Sequence, residues 1–317
     1  MAAWLSTHLG QAVKLVRDYL GSDIDVAPGQ VVLLENLRFN VGEKSCSDAL
    51  SQQLADLCDV FVMDAFGTAH RAQASTYGVA KFAKLACAGP LLVREIENLE
   101  KSLANAEKPL LAIVGGAKVS GKLALLEELV EKVDILIIGG GIANTFLAAS
   151  GANVGKSLCE DELIPTAKSI LSKAKAANTL IPMPVDAGVG QQFDENEACE
   201  IKAIEAIADN DMIFDIGPKT AEVYAKHIGE AKTIIWNGPV GVFEFPNFTG
   251  GTKALADAIA ASDAFSIAGG GDTIAAIHQF AITDKISYIT TGGGAFLEYM
   301  EGKKLPAIAI LEQRFNG

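Results

Sequence analysis

A glycine-rich segment with two lysines is the first feature of the sequence that could do chemistry. Residues 115–122 are Gly-Gly-Ala-Lys-Val-Ser-Gly-Lys, directly after an apolar run that favours a strand. Glycines let a backbone approach a phosphate closely, and the free N–H groups at a helix start favour an anion. Lys118 and Lys122 are four residues apart, so a helix that starts here places both ammonium groups on one side. The segment predicts a phosphate-binding loop, with a tight turn and solvated lysines as the alternative.

The same segment satisfies most of a Walker A pattern. Gly116, Gly121 and Lys122 have the required spacing, but the next residue is Leu123, where a P-loop needs Ser or Thr to hold magnesium. The segment also presents two lysines, whereas a P-loop uses one. A P-loop NTPase is therefore an alternative interpretation rather than the leading one.

Three further segments place glycines between a predicted strand and a predicted helix. Gly139–Asn144 has the pattern G-x-G-x-x-N, which lacks the third glycine of the dinucleotide fingerprint and equally suits a glycine-lined slot for a flat base. Gly269–Thr273 combines a phosphate-binding backbone with Asp272, a carboxylate for magnesium, and with Thr273, a hydroxyl for a phosphate oxygen. A helix-capping role for Asp272 is compatible with this function. Thr291–Ala295 is the third segment of this kind.

The segment Trp236–Glu244 is Trp-Asn-Gly-Pro-Val-Gly-Val-Phe-Glu and also follows an apolar run. It offers the amide of Asn237 and the carboxylate of Glu244 to ligand hydroxyls, although a plain turn has a similar composition. Ligands of parallel sheets bind beyond the carboxyl ends of the strands. Several glycine-bearing segments at such ends are hard to explain by turn chemistry alone.

Two arginines follow predicted strands nearer the N-terminus. Arg38 lies in the segment Glu35–Phe39, and Arg71 ends the segment Asp64–Arg71. A guanidinium group just beyond a strand end suits bidentate capture of a carboxylate or a phosphate, although a surface role is the common alternative. His70 is either a base or a hydrogen-bonded structural histidine, and the second interpretation is favoured.

The elements that position these segments follow from the apolar pattern. From residue 107 onward, apolar runs alternate with helical patterns, such as the helical face made by Val119, Leu123, Leu126, Val130 and Val133. Runs that are apolar throughout and joined by helices predict a parallel sheet covered on both faces. The predicted strands are Leu110–Val114, Asp134–Ile138, Thr179–Met183, Met212–Ile216, Thr233–Trp236, Ala264–Ala268 and Ser287–Thr291.

The first 90 residues contain less sheet. Gln30–Leu34 and Asp59–Met63 are the clear strands, and Gln11–Tyr19 and Asp48–Leu57 carry helical patterns. Two strands are too few for a stable parallel sheet, so this region looks like part of a domain. The apolar positions 92, 96, 99 and 103 then mark a long helix that could join two domains.

Composition excludes several classes of protein. A length of 317 residues predicts two domains, and a net charge of −13 argues against a nucleic-acid groove or an anionic membrane as partner. No window approaches the ~20 apolar residues of a membrane span, and the opening residues do not resemble a signal peptide. The widely spaced cysteines favour free thiols in a reducing cytoplasm over a zinc site or disulfides.

Taken together, these motifs resemble those of phosphoglycerate kinase in content, order and spacing, over essentially the whole chain. The resemblance rests on Ala65–Arg71, Gly115–Ser120, Trp236–Glu244 and Gly269–Thr273. It implies an α/β fold with two Rossmann-like lobes, whose parallel sheets are flanked by helices and which are joined by a hinge helix. The implied bounds are 1–90 for a lobe that binds 3-phosphoglycerate or 1,3-bisphosphoglycerate, 91–106 for the hinge, 107–299 for a lobe that binds Mg-ADP or Mg-ATP, and 300–317 for a tail that packs back on the first lobe.

The resemblance also implies an activity and its catalytic groups. The reaction is reversible in-line phosphoryl transfer from 1,3-bisphosphoglycerate to ADP in glycolysis, without a covalent intermediate, and it needs closure about the hinge. Lys118 would follow the transferring phosphoryl group, and Gly270 and Gly271 would offer backbone amides to it. Asp272 would hold Mg²⁺, and Thr273 would meet a phosphate.

Further contacts are implied on both substrates. The nucleotide would meet Gly116, Ala117 and Lys122 at its phosphates, Gly140 and Gly141 at adenine, and Asn237, Pro239 and Glu244 along its length, with Glu244 on the ribose. Arg38 and Arg71 would belong to the basic patch that binds phosphoglycerate. We expect the protein to be a monomer that binds these small-molecule substrates.

The chain departs from the family pattern at its start. Family members open with R-x-D-x-N-x-P and S-H-L-G-R-P runs, and neither is present. Thr7–Gly10 is similar to the second run, but its context matches a later amphipathic helix, so His8 is assigned no catalytic role. We therefore expect the first lobe to lack its opening strands, on the order of 60 residues, and the chain to bind nucleotide but turn over poorly. A catalytically silent nucleotide-binding module is the alternative function.

Overall fold

The protein is described by a computed structural model that covers residues 1–21 and 24–316. The chain divides into two compact units, Met1–Val93 together with Lys304–Gly317, and Arg94–Lys303. The division falls within the helix Pro90–Ser102, in the region where the sequence predicts a hinge helix over 91–106. Gly317, the last residue of the predicted tail, lies outside the described residues.

The strands in chain order are β1 Val13–Val16, β2 Val31–Leu34, β3 Val60–Met63, β4 Leu85–Ala88, β5 Leu110–Val114, β6 Ile135–Ile138, β7 Asp186–Gly190, β8 Glu200–Ala203, β9 Met212–Ile216, β10 Thr233–Asn237, β11 Phe265–Ala268 and β12 Tyr288–Ile289. The α-helices are α1 Ala2–Leu9, α2 Asp48–Ala55, α3 Val79–Phe82, α4 Pro90–Ser102, α5 Leu123–Leu129, α6 Gly140–Ala149, α7 Ile164–Ala177, α8 Pro218–Glu230, α9 Gly250–Ala261, α10 Gly271–Gln279, α11 Gly293–Met300 and α12 Pro306–Asn316. Within the described ranges, none of these helices has both the length and the apolar character that crossing a membrane requires.

The second unit is built on a parallel sheet with the strand order β12-β11-β10-β5-β6. Each neighbouring pair in it is parallel. Five of the strands predicted from apolar runs form this sheet, and their bounds differ from the predicted ones by at most two residues at either end. The prediction of an α/β fold with a parallel sheet is confirmed.

Helices cover this sheet because both of its faces are apolar. On one face, Leu111, Ile137 and Trp236 belong to a core that includes side chains of α8, α9 and α10. The alternate side chains of the same strands, such as Ala112 and Ile138, are also fully buried. A strand buried on both faces needs no polar alternation, which explains why its sequence is apolar throughout.

Two predicted strands of the second unit are placed differently. Thr179–Met183 is not a strand, because only Leu180 pairs, in a single bridge with Ile135. Met212–Ile216 is a strand, but it joins a separate antiparallel sheet of order β8-β7-β9. The sequence did not predict β7, since Asp186–Gly190 is Asp-Ala-Gly-Val-Gly, a composition depleted in strands.

The first unit contains two separate parallel pairs, β1 with β2 and β3 with β4. Both strands predicted in this region are present as β2 and β3. The predicted helix over Gln11–Tyr19 is wrong, since Val13–Val16 is a strand that pairs with Val31–Leu34. Val13 and Val16 have helical spacing, but pairing with a neighbouring strand decides the conformation of so short a segment.

Two local features complete the first unit. His8 lies on α1, where its ring stacks on Trp4 and its Nδ1 lies 2.8 Å from the Trp4 carbonyl oxygen. α12 packs against the unit that contains the N-terminus, where the Ala307 N–H donates to the Ala69 carbonyl at 3.1 Å and Arg314 donates to the Ala83 carbonyl at 2.7 Å.

A fully buried carboxylate fixes α4 within the second unit. Glu95 accepts hydrogen bonds from the Thr290 hydroxyl at 2.7 Å, the Thr291 N–H at 2.7 Å and the Thr291 hydroxyl at 2.6 Å. These donors directly follow β12. The helix is thereby attached to the carboxyl edge of the sheet by hydrogen bonds rather than by apolar packing alone.

Replacing Glu95 with alanine should lower the free energy of unfolding by about 2–3 kcal/mol, because it leaves the buried Thr290 hydroxyl without its acceptor. Glu97 is exposed on the same helix, so Glu97→Ala is the matched control and should change stability by less than about 0.5 kcal/mol. Urea unfolding of both variants measures the difference, and equal effects would contradict the role given to Glu95.

Candidate functional site

The glycine segments of the second unit meet at one edge of the parallel sheet. Because its strands are all parallel, the loops after β5, β6, β10 and β11 begin at its carboxyl edge. These loops start at Gly115, Gly139, Gly238 and Gly269, on four strands that are consecutive in the sheet. Four of the segments singled out in the sequence are therefore neighbours in space.

Backbone contacts backbone between these loops, and only glycine permits such an approach. A Cβ on Gly115 would lie 1.7 Å from the Pro239 carbonyl oxygen, and one on Gly238 would lie 2.3 Å from the Gly115 carbonyl oxygen. Gly238 has φ +107°, and Gly140 has φ +66° with the Gly116 carbonyl oxygen 2.7 Å from its would-be Cβ. Positive φ values of this kind disfavour residues with side chains. The glycines thus set the distances between the loops.

The side chain of Lys122 ties two of these loops together. Its Nζ donates to the Gly115 carbonyl at 2.5 Å, the Asn237 carbonyl at 2.9 Å and Asn237 Oδ1 at 2.5 Å. Burial lowers the pKa of Lys122 to about 8, and the Asp272 carboxylate acts in the opposite direction. Three protein oxygens already engage the ammonium group, so its contact with a nucleotide phosphate stays a prediction.

Two buried polar side chains extend this network to the loop after β11. Asn237 Nδ2 donates to the Gly269 carbonyl at 2.8 Å. The Thr273 hydroxyl accepts from the Gly238 N–H at 2.7 Å and donates to the Gly269 carbonyl at 2.9 Å. The sequence predicts that this hydroxyl contacts a phosphate, whereas in the structure it donates its single proton to the Gly269 carbonyl. Asn237 and Thr273 hold the loops in register.

A cavity of about 410 Å³ opens between the loops, within the size range of small-molecule sites. Of the predicted nucleotide contacts, those that line it are Gly116, Ala117, Gly140, Gly141, Pro239, Glu244 and Asp272. The predicted contacts outside its lining are Lys118, Lys122, Asn237, Gly270, Gly271 and Thr273. The lining brings together residues that are more than 150 positions apart in the sequence.

An apolar wall of the cavity was not predicted. It includes Met212, Ile213 and Phe214 of β9 and the exposed side chain of Phe193, whose ring centroid lies 5.8 Å from that of Phe214. These residues come from the antiparallel sheet and the loop that follows β7. No motif or spacing in the sequence marks them, because only the placement of the second sheet turns them toward the glycine loops.

Two exposed charged side chains lie on the segments that surround the cavity. Lys118 is exposed on the loop after β5, and Asp272 is exposed in the first turn of α10. The far part of the Lys118 loop is anchored by Ser120, whose N–H and hydroxyl donate to Glu160 at 2.9 and 2.6 Å. Gly270, with φ +100°, precedes α10 and leads into its N-terminus. A helix start and an ammonium group suit an anionic chain such as a polyphosphate.

Magnesium is compatible with the donors present. No group of three or more His, Cys, Asp or Glu side chains that could hold a metal ion occurs in residues 1–21 and 24–316. Asp272 is a single carboxylate in the first turn of α10, where the free N–H groups of the helix can bind a phosphate. Mg²⁺ is commonly held by one or two carboxylates together with substrate phosphates and water, so the donor set fits an ion that arrives with a nucleotide.

The two predicted arginines belong to the first unit. Arg38 lies in a short helical turn, Leu37–Phe39, after β2, and its N–H donates to Asn36 Oδ1 at 3.1 Å. Arg71 follows β3 and a short turn, and its Nε donates to His70 Nε2 at 3.3 Å. Both arginines are exposed. The structure supports their predicted location beyond strand ends, but it places β2 and β3 in different pairs.

Comparison with known proteins gives consistent matches. The sequence model of the phosphoglycerate kinase family matches residues 1–303. The chain is similar to the structure of phosphoglycerate kinase from Coxiella burnetii, with a TM-score of 0.95 and 55% identity, over 99% of this chain and 80% of that one. It is also similar to the crystal structure of phosphoglycerate kinase from Pyrococcus horikoshii OT3, with a TM-score of 0.79 and 33% identity, over 99% of this chain and 82% of that one.

The comparisons do not support the expectation that opening strands are missing from the first unit, and the poor turnover inferred from that expectation stays a prediction.

The lowered pKa of Lys122 predicts how the stability of the protein depends on pH. The folded protein releases this proton near pH 8, whereas the ordinary value is 10.5, so between these values the unfolded state binds more protons and stability rises with pH. We expect the free energy of unfolding of the wild type, minus that of Lys122→Met, to increase from pH 8 to pH 10. Urea unfolding at several pH values measures it, with Lys168→Met on α7 as the control for loss of an exposed ammonium group. A difference that stays flat for Lys122 would contradict the assignment.

Proposed function

This chain belongs to the phosphoglycerate kinase family, and from that premise we propose which of its residues bind the substrates and stabilise the transfer. The protein is a kinase that transfers a phosphoryl group between 1,3-bisphosphoglycerate and ADP, reversibly giving 3-phosphoglycerate and ATP in glycolysis. Its substrates are therefore a nucleotide and a small phosphorylated acid. The alternatives of a silent nucleotide-binding module and a P-loop NTPase have no support.

The cavity at the carboxyl edge of the sheet is the observation that carries the assignment of the nucleotide site. Its apolar wall, which includes Phe214, suits the face of a purine base. Gly140 and Gly141 form a surface without side chains, on which a flat base can lie. Glu244 lies at the exposed rim and can accept hydrogen bonds from the ribose hydroxyls. We assign the base and ribose of ADP or ATP to this cavity.

The phosphate chain of the nucleotide would extend toward α10. The amides of Gly270 and Gly271 at the helix start can donate to phosphate oxygens, and Asp272 can hold Mg²⁺. When bound, Mg²⁺ neutralises part of the phosphate charge. Lys122, Asn237 and Thr273 act on this region indirectly, since their hydrogen bonds fix the loops that border it.

Lys118 is the residue that we assign to the transferring phosphoryl group. Phosphoryl transfer needs positioning and charge stabilisation rather than a covalent intermediate. The Lys118 side chain is exposed on the loop after β5, whose backbone is fixed by the Gly115 contacts and by Ser120. A mobile ammonium group on a fixed loop can follow the charge as it moves between donor and acceptor oxygens.

The acid substrate is assigned to the first unit. Arg38 and Arg71 are exposed at the carboxyl ends of β2 and β3, where they can bind the phosphate or carboxylate of phosphoglycerate. The contribution of His70 is positional, since its Nε2 accepts from Arg71 Nε.

Oligomeric state and location are finer parts of the proposal. We propose a monomer, in keeping with the resemblance, and a cytoplasmic location. The free state of Cys46, Cys58, Cys87, Cys159 and Cys199 supports a reducing compartment.

Lys118→Ala tests the assignment of the transferring group. The variant should lose about 10²-fold or more in kcat while its Kd for ADP changes little, because the lost charge acts mainly in the transition state. A coupled assay with 3-phosphoglycerate and Mg-ATP measures kcat, and calorimetry measures the Kd. Lys168→Ala removes an exposed lysine of α7 and serves as the control. Equal losses in kcat and in ADP affinity would contradict this role.

Asp272→Asn tests the assignment of the metal ligand. The variant should need about tenfold more Mg²⁺ to reach half-maximal binding of ADP, because an amide oxygen is a weaker ligand for a hard cation than a carboxylate. Mg²⁺ titrations at fixed ADP measure the effect. Glu244→Gln is the matched control, since it should weaken ADP binding at every Mg²⁺ concentration without moving the midpoint. An unchanged midpoint in Asp272→Asn would refute the assignment.

A further inference from the structure

Asp215 is a buried carboxylate that the phosphoryl-transfer chemistry does not use. It is the second-last residue of β9, directly before Ile216, and is 5% exposed. Its oxygens accept from the Ile216 N–H at 2.9 Å and from the Gly251 N–H at 2.6 Å. Among the described residues, no ion pair with Lys, Arg or His compensates its charge. Burial raises the pKa of Asp215 to about 7, although the two backbone hydrogen bonds act to lower it.

A second cavity, of about 430 Å³, lies against this carboxylate. Its walls come from the first turns of α8 and of α9, from the end of β9 and from the start of β8. Ile201, Ile216, Ala221, Ala225 and Ala254 make most of the surface apolar. The cavity is distinct from the nucleotide cavity, because the lining residues of the two have none in common.

Asp215 also contacts the wall of the nucleotide cavity. A Cβ on Gly241, which lines that cavity, would lie 2.2 Å from Asp215 Oδ1. A Cβ on Gly251, which lines the second cavity, would lie 2.3 Å from the same oxygen. The carboxylate is therefore clamped between two glycines, one in each cavity wall. Preceding residues of β9, Ile213 and Phe214, face the nucleotide cavity.

We propose that the cavity between α8 and α9 is a second ligand site, which binds a small apolar molecule with an ammonium group through Asp215 and thereby weakens nucleotide binding. The effect on the nucleotide rests on the function proposed above, whereas the binding of the amine does not.

The chemistry of the lining selects this class of ligand. Among the described residues that line it, the ionisable groups are the buried Asp215 and the exposed Cys199 and Glu222, and none carries a cationic side chain. Burial also raises the pKa of the Cys199 thiol, and the Asp215 charge acts in the same direction. Phosphates and carboxylates would therefore meet repulsion, whereas a cation meets an uncompensated carboxylate. The apolar walls favour a ligand with a hydrocarbon body, because binding removes that apolar surface from water.

The coupling follows from the position of Asp215. An ammonium group in the second cavity attracts the carboxylate away from Gly241, so the loop after β10 loses a packing contact beneath the nucleotide. Linkage then requires that the nucleotide weakens amine binding by the same factor.

Binding of the amine should depend on pH because it needs ionised Asp215. In the part of the chain that the structure describes, Asp186 of the neighbouring strand β7 also lies near it, in addition to Cys199 and Glu222. Asp186 accepts from the Lys219 N–H, the Thr220 N–H and the Thr220 hydroxyl. With Asp215 protonated below about pH 7, affinity for an amine should be about tenfold lower at pH 6 than at pH 8. A neutral ligand of the same shape should lack this dependence.

Calorimetry and ligand-observed NMR with 2-phenylethylamine test the proposal on the full chain. We expect binding of the amine, weaker binding of 2-phenylethanol and none of 3-phenylpropanoate. In saturating 2-phenylethylamine, the Kd of Mg-ADP should rise at least about threefold without reaching strict competition. Preferential binding of the anion, or mutually exclusive binding of amine and ADP, would overturn the proposal.

Cavity-filling variants locate the bound amine. Ala225→Leu on α8 and Ala254→Leu on α9 fill the cavity from opposite walls, at positions that are only partly buried. Each should abolish binding of 2-phenylethylamine while the Kd of ADP stays within about twofold of the wild type. Using both variants guards against a folding defect in one of them. Retained amine binding in both would overturn the site. If the wild type failed to bind ADP, the proposed function would fall, but amine binding would still be measured on its own.

Discussion

The loops at the carboxyl edge of the parallel sheet depend on polypeptide backbones that touch without side chains between them. Gly115 and Gly238 lie so close that a Cβ on either would overlap a carbonyl oxygen of the other loop. Two carbonyl-bearing loops at this distance present several partial negative charges to each other, and the Lys122 ammonium group lies among those oxygens. The cation is thus part of the framework of the site. The close backbone contact and the Lys122 hydrogen bonds hold these loops at the distance that sets the width of the cavity lined by Gly116 and Pro239.

Buried charges mark three places where the fold joins its elements, and each is compensated differently. Glu95 is satisfied by threonine donors after β12 and attaches α4 to the sheet. Lys122 is satisfied by carbonyl and amide oxygens and retains its charge with a lowered pKa. Asp215 has two backbone donors and no ion pair among the described residues, and burial raises its pKa to about 7. Its carboxylate therefore lies between two cavities with a pKa close to neutral pH.

The overall charge of −13 disfavours anionic substrates, so their binding has to be local. In the function proposed above, Lys118 and the start of α10 supply positive potential beside the cavity at the carboxyl edge of the sheet, and Arg38 and Arg71 supply it on the first unit. In the same proposal, a divalent cation that arrives with the nucleotide adds positive charge at the site without adding a permanent cationic patch to the fold.

The sequence by itself determined the parallel sheet, the glycine loops at its strand ends and the resemblance to one enzyme family. Strands buried on both faces must be apolar throughout, and close backbone contact requires glycine. Both constraints are therefore visible in short stretches of the sequence. Prediction from the sequence failed where a distant segment determines the local structure. Val13–Val16 is a strand because β2 pairs with it. The apolar wall with Phe193 and Phe214 exists because a second sheet packs there. Only the tertiary structure directed Lys122 and Thr273 to loop carbonyls and confined Asp215 between Gly241 and Gly251. The partners of these side chains lie tens of residues or more away along the chain, and no local pattern encodes contacts between segments so distant.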